Sequence, residues 1–287
     1  MAEKRLIKQR IQATDKTYQI TTAMNMVSTA KLRRTEKVLL NFRPLSSEVQ
    51  NLMNSLLSTH PDVSSPALFD NGKKPCYVII ASDRGLIGGY NNQIFRTFEN
   101  YVKSHHTSKD EFVVATIGYK AYSYIKKAGY HLLNKEATSI RDDILFQDFN
   151  EVTRLIVMGY LKEEHGKTTV FYTPFINTMT SKVVVEQILP IVFDPNKTTN
   201  DPTEYIYEPN PQTIFQETIT LWISYTLYRI ILESKTSEHA ARMTAMKNAS
   251  DNARDIKEQL TLKYNHARQN QITTEITDII NGSSAVK

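Results

Sequence analysis

The chain begins and ends with long stretches in which apolar residues recur every three or four positions, while its middle alternates short apolar runs with amphipathic segments. On the C-terminal side, Met246, Ala249, Ala253, Ile256 and Leu260 alternate spacings of three and four, the pattern of a helix that lays an apolar seam on a second helix. Ile7, Ile11, Ile20, Met24 and Val27 offer a complementary, less regular stripe near the N-terminus. Between Pro75 and Pro190 the period changes. Tyr77–Ala81, Phe112–Ile117, Thr169–Tyr172 and Val183–Leu189 read as strands, separated by helices over Asn92–Ser104, Tyr119–Ala128 and Phe149–Glu163. This alternation predicts a small Rossmann-like α/β domain of the doubly wound kind.

Helix breakers fix where these regions end. Eight of the nine glycines lie between Gly72 and Gly166, the exception being Gly282, and no proline precedes Pro44 or follows Pro211. Glycine frees the backbone and proline removes a donor inside helices, so 1–43 and 212–281 are left as unbroken helical stretches. Pro44 marks either a kink or a new first turn for Leu45–Leu57. About seventy residues of helix span about 105 Å, whereas a compact globule of this length has a radius of gyration of about 19 Å, so the C-terminal helix must protrude. One terminal helix enters the central domain and the other leaves it, which makes them antiparallel when paired. The expected organisation is an N-terminal coiled-coil helix over 1–57, a central α/β domain over 75–193, a loop over 194–210 and a C-terminal coiled-coil helix over 211–282. Small residues at Ala240, Ala241, Ala245 and Ala249 allow close approach of the two backbones. Ile272, Ile276, Ile279 and Ile280 extend past the partner helix and imply an apolar receptacle, the alternative being last turns that fray against the end of the first helix.

Charge changes the picture at one end. The net charge is +5, but residues 1–43 carry +7 and residues 212–287 carry +1, leaving −3 for the middle. A basic helix suits nucleic-acid phosphates, an acidic protein surface or plain solvation. No run of eighteen apolar residues is present, and Met1–Arg10 is charged from its third residue, so neither a membrane span nor a secretion signal is expected. The single cysteine, Cys76, stands in the apolar run Cys76–Ile80 and reads as a buried strand thiol in a reducing compartment.

Candidate chemistry is sparse. Ser82-Asp83-Arg84-Gly85-Leu86-Ile87-Gly88-Gly89-Tyr90-Asn91 is a glycine-rich turn between a strand and a helix, where phosphates often bind. It lacks the Lys-Ser/Thr ending of a P-loop and the glycine spacing of a dinucleotide fingerprint, so a structural turn is the better reading and an anion site the lesser. The seven histidines show no metal-ligand spacing; His105 and His106 are adjacent and face apart. There is no Gly-x-Ser-x-Gly elbow, and Cys76 lacks the electropositive setting of a nucleophile. No catalytic residue, cofactor or metal is expected.

Three segments resemble the gamma subunit of F-type ATP synthases: Gln19–Leu32, the Ser82–Asn91 turn, and Ser237–Ala249 continuing through Asp251-Asn252-Ala253 to Tyr264–Gln269 and Ile272–Glu275. The resemblance implies a non-catalytic rotor whose coiled coil stands in a ring of three alpha and three beta subunits and whose lower end meets the epsilon subunit and the membrane c ring. It further implies that Met24, Lys31, Arg33, Arg34, Arg242, Arg268, Gln269 and Thr273 face the beta subunits, where arginine's fork suits carboxylates. The tip isoleucines would sit in an apolar bearing, and Tyr205, Tyr207 and Glu208 in the foot. The chain departs from the family pattern at Thr22, where a lysine is usual, at Asn25, where a glutamate is usual, and at Ser283, where an alanine is usual. The dithiol insert of chloroplast relatives is missing. A peripheral protein on the cytoplasmic face of a bacterial cell membrane is expected, with a basic coiled-coil nucleic-acid binder or a phosphate-handling enzyme as the competing readings.

Overall fold

The structure, a computed structural model, describes residues 2–139, 141, 142, 146, 150–192 and 207–285. In chain order the elements are α1 (Ala2–Thr59), β1 (Cys76–Ile80), α2 (Tyr90–His105), β2 (Val113–Ile117), α3 (Tyr119–Ala128), α4 (Asn150–Leu161), β3 (Thr168–Tyr172), β4 (Val184–Leu189) and α5 (Pro211–Ala285). The chain divides into two units. One combines Met1–Thr29 with Arg242–Lys287, and the other is Ala30–Ala241.

In the second unit, the sheet has the order β2-β1-β3-β4. β1 pairs in parallel with β2 and β3, and β4 pairs antiparallel with β3. The last strand can reverse because the chain between Tyr172 and Val184 carries no helix, and antiparallel neighbours need no crossover. Every residue of β1, β2 and β3 is buried, as expected where both faces of a sheet are covered, which is why these strands read as nearly continuous apolar runs. One face packs on α2 and α3 through an aromatic cluster. Tyr77 meets Phe98, Phe112 and Phe171 at centroid distances of 6.1, 5.3 and 5.8 Å.

Local geometry sets the turns. Gly118 lies at φ +95°, and a Cβ there would stand 1.9 Å from the Ala81 carbonyl oxygen, so only glycine lets β2 pass into α3 beside β1. Cys76 is fully buried and its thiol is pushed up to about 12 by burial.

Pro44 lies inside α1 and does not end it. The helix buries one continuous stripe. Among its members Thr21, Ser28, Leu32, Thr35, Leu39, Val49, Met53 and Leu56 are buried, and Ile7, Ile11, Thr14, Tyr18, Asn25, Phe42 and Ser46 are half-buried between them. The spacing alternates four and three throughout. Ile20 and Val27, expected in the stripe, are exposed. At these two positions the stripe runs one residue later, through hydroxyls that satisfy themselves on their own helix: Thr21 donates to the Thr17 carbonyl at 2.9 Å and Ser28 to the Met24 carbonyl at 2.7 Å, as Thr35 farther along does to Lys31 at 3.2 Å. Such back-bonding lets Ser and Thr occupy buried helix positions. The same correction applies to the distal part of α5. There Met243, Met246, Ser250, Ala253, Lys257, Leu260, Tyr264, Ala267 and Gln271 are buried or half-buried, whereas Ile256 is exposed. Lys257 takes the place expected for Ile256, while Ala249 is half-buried beside the buried Ser250.

Candidate partner-binding surfaces

In the first unit, α1 and α5 are joined by polar cross-links whose partner numbers descend along α5 as they ascend along α1. The Lys4 ammonium lies 6.0 Å from the Tyr264 ring centre, Lys257 donates to Asp15 at 2.6 Å, Thr22 shares a 2.7 Å hydrogen bond with Ser250, and Asn25 donates to the Met243 carbonyl at 2.8 Å. Thr22 and Asn25, two of the three departures from the family pattern, are thus seam residues. Uncharged side chains at these positions bond across to α5.

Met24 and Arg242 are half-buried in this unit, and Arg268, Gln269 and Thr273 are exposed on α5. Thr273 donates to the Gln269 carbonyl at 3.0 Å, which satisfies its hydroxyl within the helix. Beyond them Ile272, Ile276, Ile279 and Ile280 are 47, 51, 71 and 58 % exposed. Spacings of three and four place them along one side of the helix, so the last turns of α5 carry a row of isoleucines facing water.

In the second unit, Arg33 and Arg34 are exposed on α1. Lys31 is not free in the same way: its ammonium contacts Asp142 Oδ2 at 2.5 Å. The other oxygen of Asp142 lies 3.5 Å from Lys235 and 3.4 Å from His239 Nε2. Burial raises the Asp142 carboxyl, but the Lys31 hydrogen bond and the charges of Lys235, Lys31 and His239 outweigh it and hold the group at about 2. Just before α5, Glu208 is exposed and Tyr207 is half-buried, edge-on to His60 at 5.3 Å. Tyr205 and most of the loop expected over 194–210 lie outside the described residues.

The glycine-rich turn consumes its own polar groups. The Ser82 amide donates to Asn91 Oδ1 at 3.2 Å, Asn91 Nδ2 donates to the Ser82 hydroxyl at 2.9 Å, and that hydroxyl donates to the Arg84 carbonyl at 2.7 Å. Asp83 accepts the Tyr119 amide at the start of α3 and the Ser139 hydroxyl, both at 2.8 Å. Asp83 thus caps the start of α3, and the hydrogen bonds that the turn makes within itself favour the structural-turn reading.

Two networks escaped sequence reasoning. His105 stacks on Tyr101 at 4.0 Å, while His106 bridges the Tyr77 hydroxyl at 2.6 Å and Glu111 at 3.1 Å. The Thr107 hydroxyl and His106 hold the Glu111 carboxyl down at about 2. Farther along, Arg229 of α5 donates to Glu186 of β4 at 2.7 Å, and Glu186 also accepts the Tyr172 hydroxyl at 2.6 Å. Arg229 reaches Glu233 at 3.4 Å, and Arg43 of α1 stands 3.9 Å from Glu233. No local pattern connects Glu186 with Arg229, because strand and helix meet only in the fold.

The family model described as ATP synthase matches residues 3–286. ATP synthase gamma chains of Geotalea uraniireducens, Enterococcus faecalis and Staphylococcus haemolyticus are 37, 35 and 34 % identical, covering 100, 98 and 100 % of this chain and the same shares of their own lengths. The chain belongs to the ATP synthase gamma-chain family. Among solved structures it resembles a chain of the Euglena gracilis mitochondrial ATP synthase, with a TM-score of 0.65 and 17 % identity over 99 % of this chain and 95 % of that one. It also resembles a chain of the Tetrahymena thermophila mitochondrial ATP synthase central stalk and c ring, with a TM-score of 0.60 and 22 % identity over 80 and 99 %. Membership in this family leaves the nucleic-acid reading of the basic helix without support. Among the described residues no helix is long and apolar enough to cross a membrane.

Proposed function

We propose that the protein is the central-stalk rotor of an F-type proton-translocating ATP synthase, coupling proton flow through a membrane c ring to ATP synthesis at sites on alpha and beta subunits. The observation that carries this reading beyond family membership is the end of α5, where exposed Arg268, Gln269 and Thr273 are followed by a row of exposed isoleucines. A monomer rarely leaves such a row uncovered. An apolar bearing formed by the alpha and beta subunits is its natural complement.

On this reading α1 and α5 form an antiparallel coiled coil, supported by the alternating three-four burial stripes and the descending order of their cross-links. The organisation runs as a helix over 1–57, an α/β domain over 75–193, a foot loop over 194–210 and a helix over 211–282. Met24, Lys31, Arg33, Arg34, Arg242, Arg268, Gln269 and Thr273 meet the beta subunits, and Arg33 and Arg34 offer forks to acidic loops. Tyr205, Tyr207 and Glu208 meet the epsilon subunit and the c ring. The protein works peripherally at the cytoplasmic face of a bacterial membrane. Rotation presents a different side of an asymmetric shaft to each beta subunit, and such differential contact is what shifts a binding equilibrium. The nucleotide chemistry belongs to those partners.

Copurification of the chain with alpha and beta subunits, followed by ATP hydrolysis and proton pumping in vesicles, tests the proposal. Deleting Thr273–Lys287 should weaken assembly or torque. Arg242→Ala with Arg268→Ala should lower pumping per ATP hydrolysed. Unchanged assembly and coupling in both variants would overturn these contact assignments.

A further inference from the structure

Lys31, Arg33 and Arg34 form a short basic run on α1, yet the three cations are not equivalent. Arg33 and Arg34 are exposed. Lys31 already holds a carboxylate, Asp142 Oδ2 at 2.5 Å. Asp142 lies between α3 and α4 and splits its two oxygens between helices, Oδ2 to Lys31 on α1 and Oδ1 to Lys235 and His239 on α5. The α5 side of the cluster is deeply buried, with Lys235 and Glu238 side chains each 4 % exposed and 3.3 Å apart, and His239 is buried as well. The Lys31–Asp142 side is open, with both side chains more than a third exposed. One half of the bridge is therefore locked in the interior and the other is within reach of solvent and of a partner.

We infer that Asp142 is an internal stand-in for a partner carboxylate: it occupies the Lys31 ammonium, so an acidic segment docking on α1 must displace it, whereas Arg33 and Arg34 stand ready without displacement. The kind of partner is an acidic loop or peptide, and its identification with beta subunits rests on the rotor reading above. Losing Lys31 leaves Asp142 with Lys235 and His239, so displacement strands no carboxylate. An exposed ion pair is weak enough to exchange, and a carboxylate brought by a partner replaces one acceptor with another of the same charge. Lys31 is then a contact made only when a partner carboxylate outcompetes Asp142.

The test uses zero-length carboxyl–amine cross-linking of the full chain, read by mass spectrometry, with an oligo-glutamate peptide as the acidic probe. The chain alone should yield a Lys31–Asp142 link. Added peptide should diminish that link and produce a Lys31–peptide link. Asp142→Asn should tighten peptide binding about two- to fivefold, the range set by one exposed ion pair, and Lys31→Gln should abolish the gain. The buried Cys76 thiol, which should stay inert to a thiol reagent, reports that each variant is folded. If Asp142→Asn exposes Cys76, the wild-type cross-link and its competition still decide the matter. A missing Lys31–Asp142 link, or one that bound peptide leaves undiminished, would overturn the inference. The intramolecular link needs no partner, so failure of the chain to assemble with alpha and beta subunits would sink the rotor reading and leave this result standing.

Discussion

The α/β body and the paired outer segments of α1 and α5 are held together by different means. In the body, Ile79, Ile94, Phe98, Phe112 and Phe171 are fully buried, and aromatic edges meet aromatic faces around Tyr77. In the other unit the buried residues among those described are few and mostly small or polar, namely Thr21, Ser28, Met246, Ser250 and Ala253. Cross-links such as Thr22 to Ser250 and Asn25 to the Met243 carbonyl set the alignment there. Polar residues at seam positions specify register at some cost in stability. The body can therefore stand on its own apolar burial. The helix pair is aligned by polar cross-links and keeps arginines and isoleucines exposed, the surface that the rotor proposal assigns to partner subunits.

The largest effect should come from breaking the body at its tightest backbone approach. Gly118→Ala drives a methyl into the Ala81 carbonyl at a positive φ and should cost about 4 kcal/mol or more. Urea unfolding followed by the fluorescence of Trp222, the only tryptophan, measures it, and an unchanged midpoint would refute the steric argument. Asn25→Ala in the other unit should cost about 1 kcal/mol, the worth of one hydrogen bond. Faster amide exchange over 243–250 with an unshifted Trp222 midpoint would sharpen the contrast between the units, and a shifted midpoint would blur it.

The smallest effect is a pH dependence within the body. Asp142 has its folded carboxyl held at about 2 against an ordinary 3.8. Its contribution is therefore complete above about pH 4 and is lost as pH falls through about 2. The melting-temperature difference between wild type and Asp142→Asn should persist at neutral pH and shrink below about pH 3. A difference that stays constant over that range would show that the carboxylate's charge is not what matters.

Much of the fold was legible because it follows from local rules. The four strands and three inner helices appear where the apolar runs and breakers placed them, with ends shifted by a residue or two. The stripes on both long helices depart from hydropathy by one position at three residues. Ile20, Val27 and Ile256 look like core on hydropathy, but the inward positions belong to Thr21, Ser28 and Lys257, whose polar groups find partners at carbonyls one turn earlier on the same helix or across on Asp15. Hydropathy scores a side chain before its hydrogen bonds are known. The pairing of Lys31 with Asp142 was not legible, because the two lie far apart along the chain.

Sequence by itself determined where helix could run unbroken, which strands are buried on both faces and which end carries the positive charge, because spacing, proline, glycine and charge act over a few residues at a time. The tertiary structure alone decided the helix register, the antiparallel place of β4, the Arg229–Glu186 bridge and the hold of Asp142 on Lys31. Each of these depends on groups far apart along the chain, and a hydrogen bond or an ion pair is sensitive to distance in space, about which sequence separation says nothing.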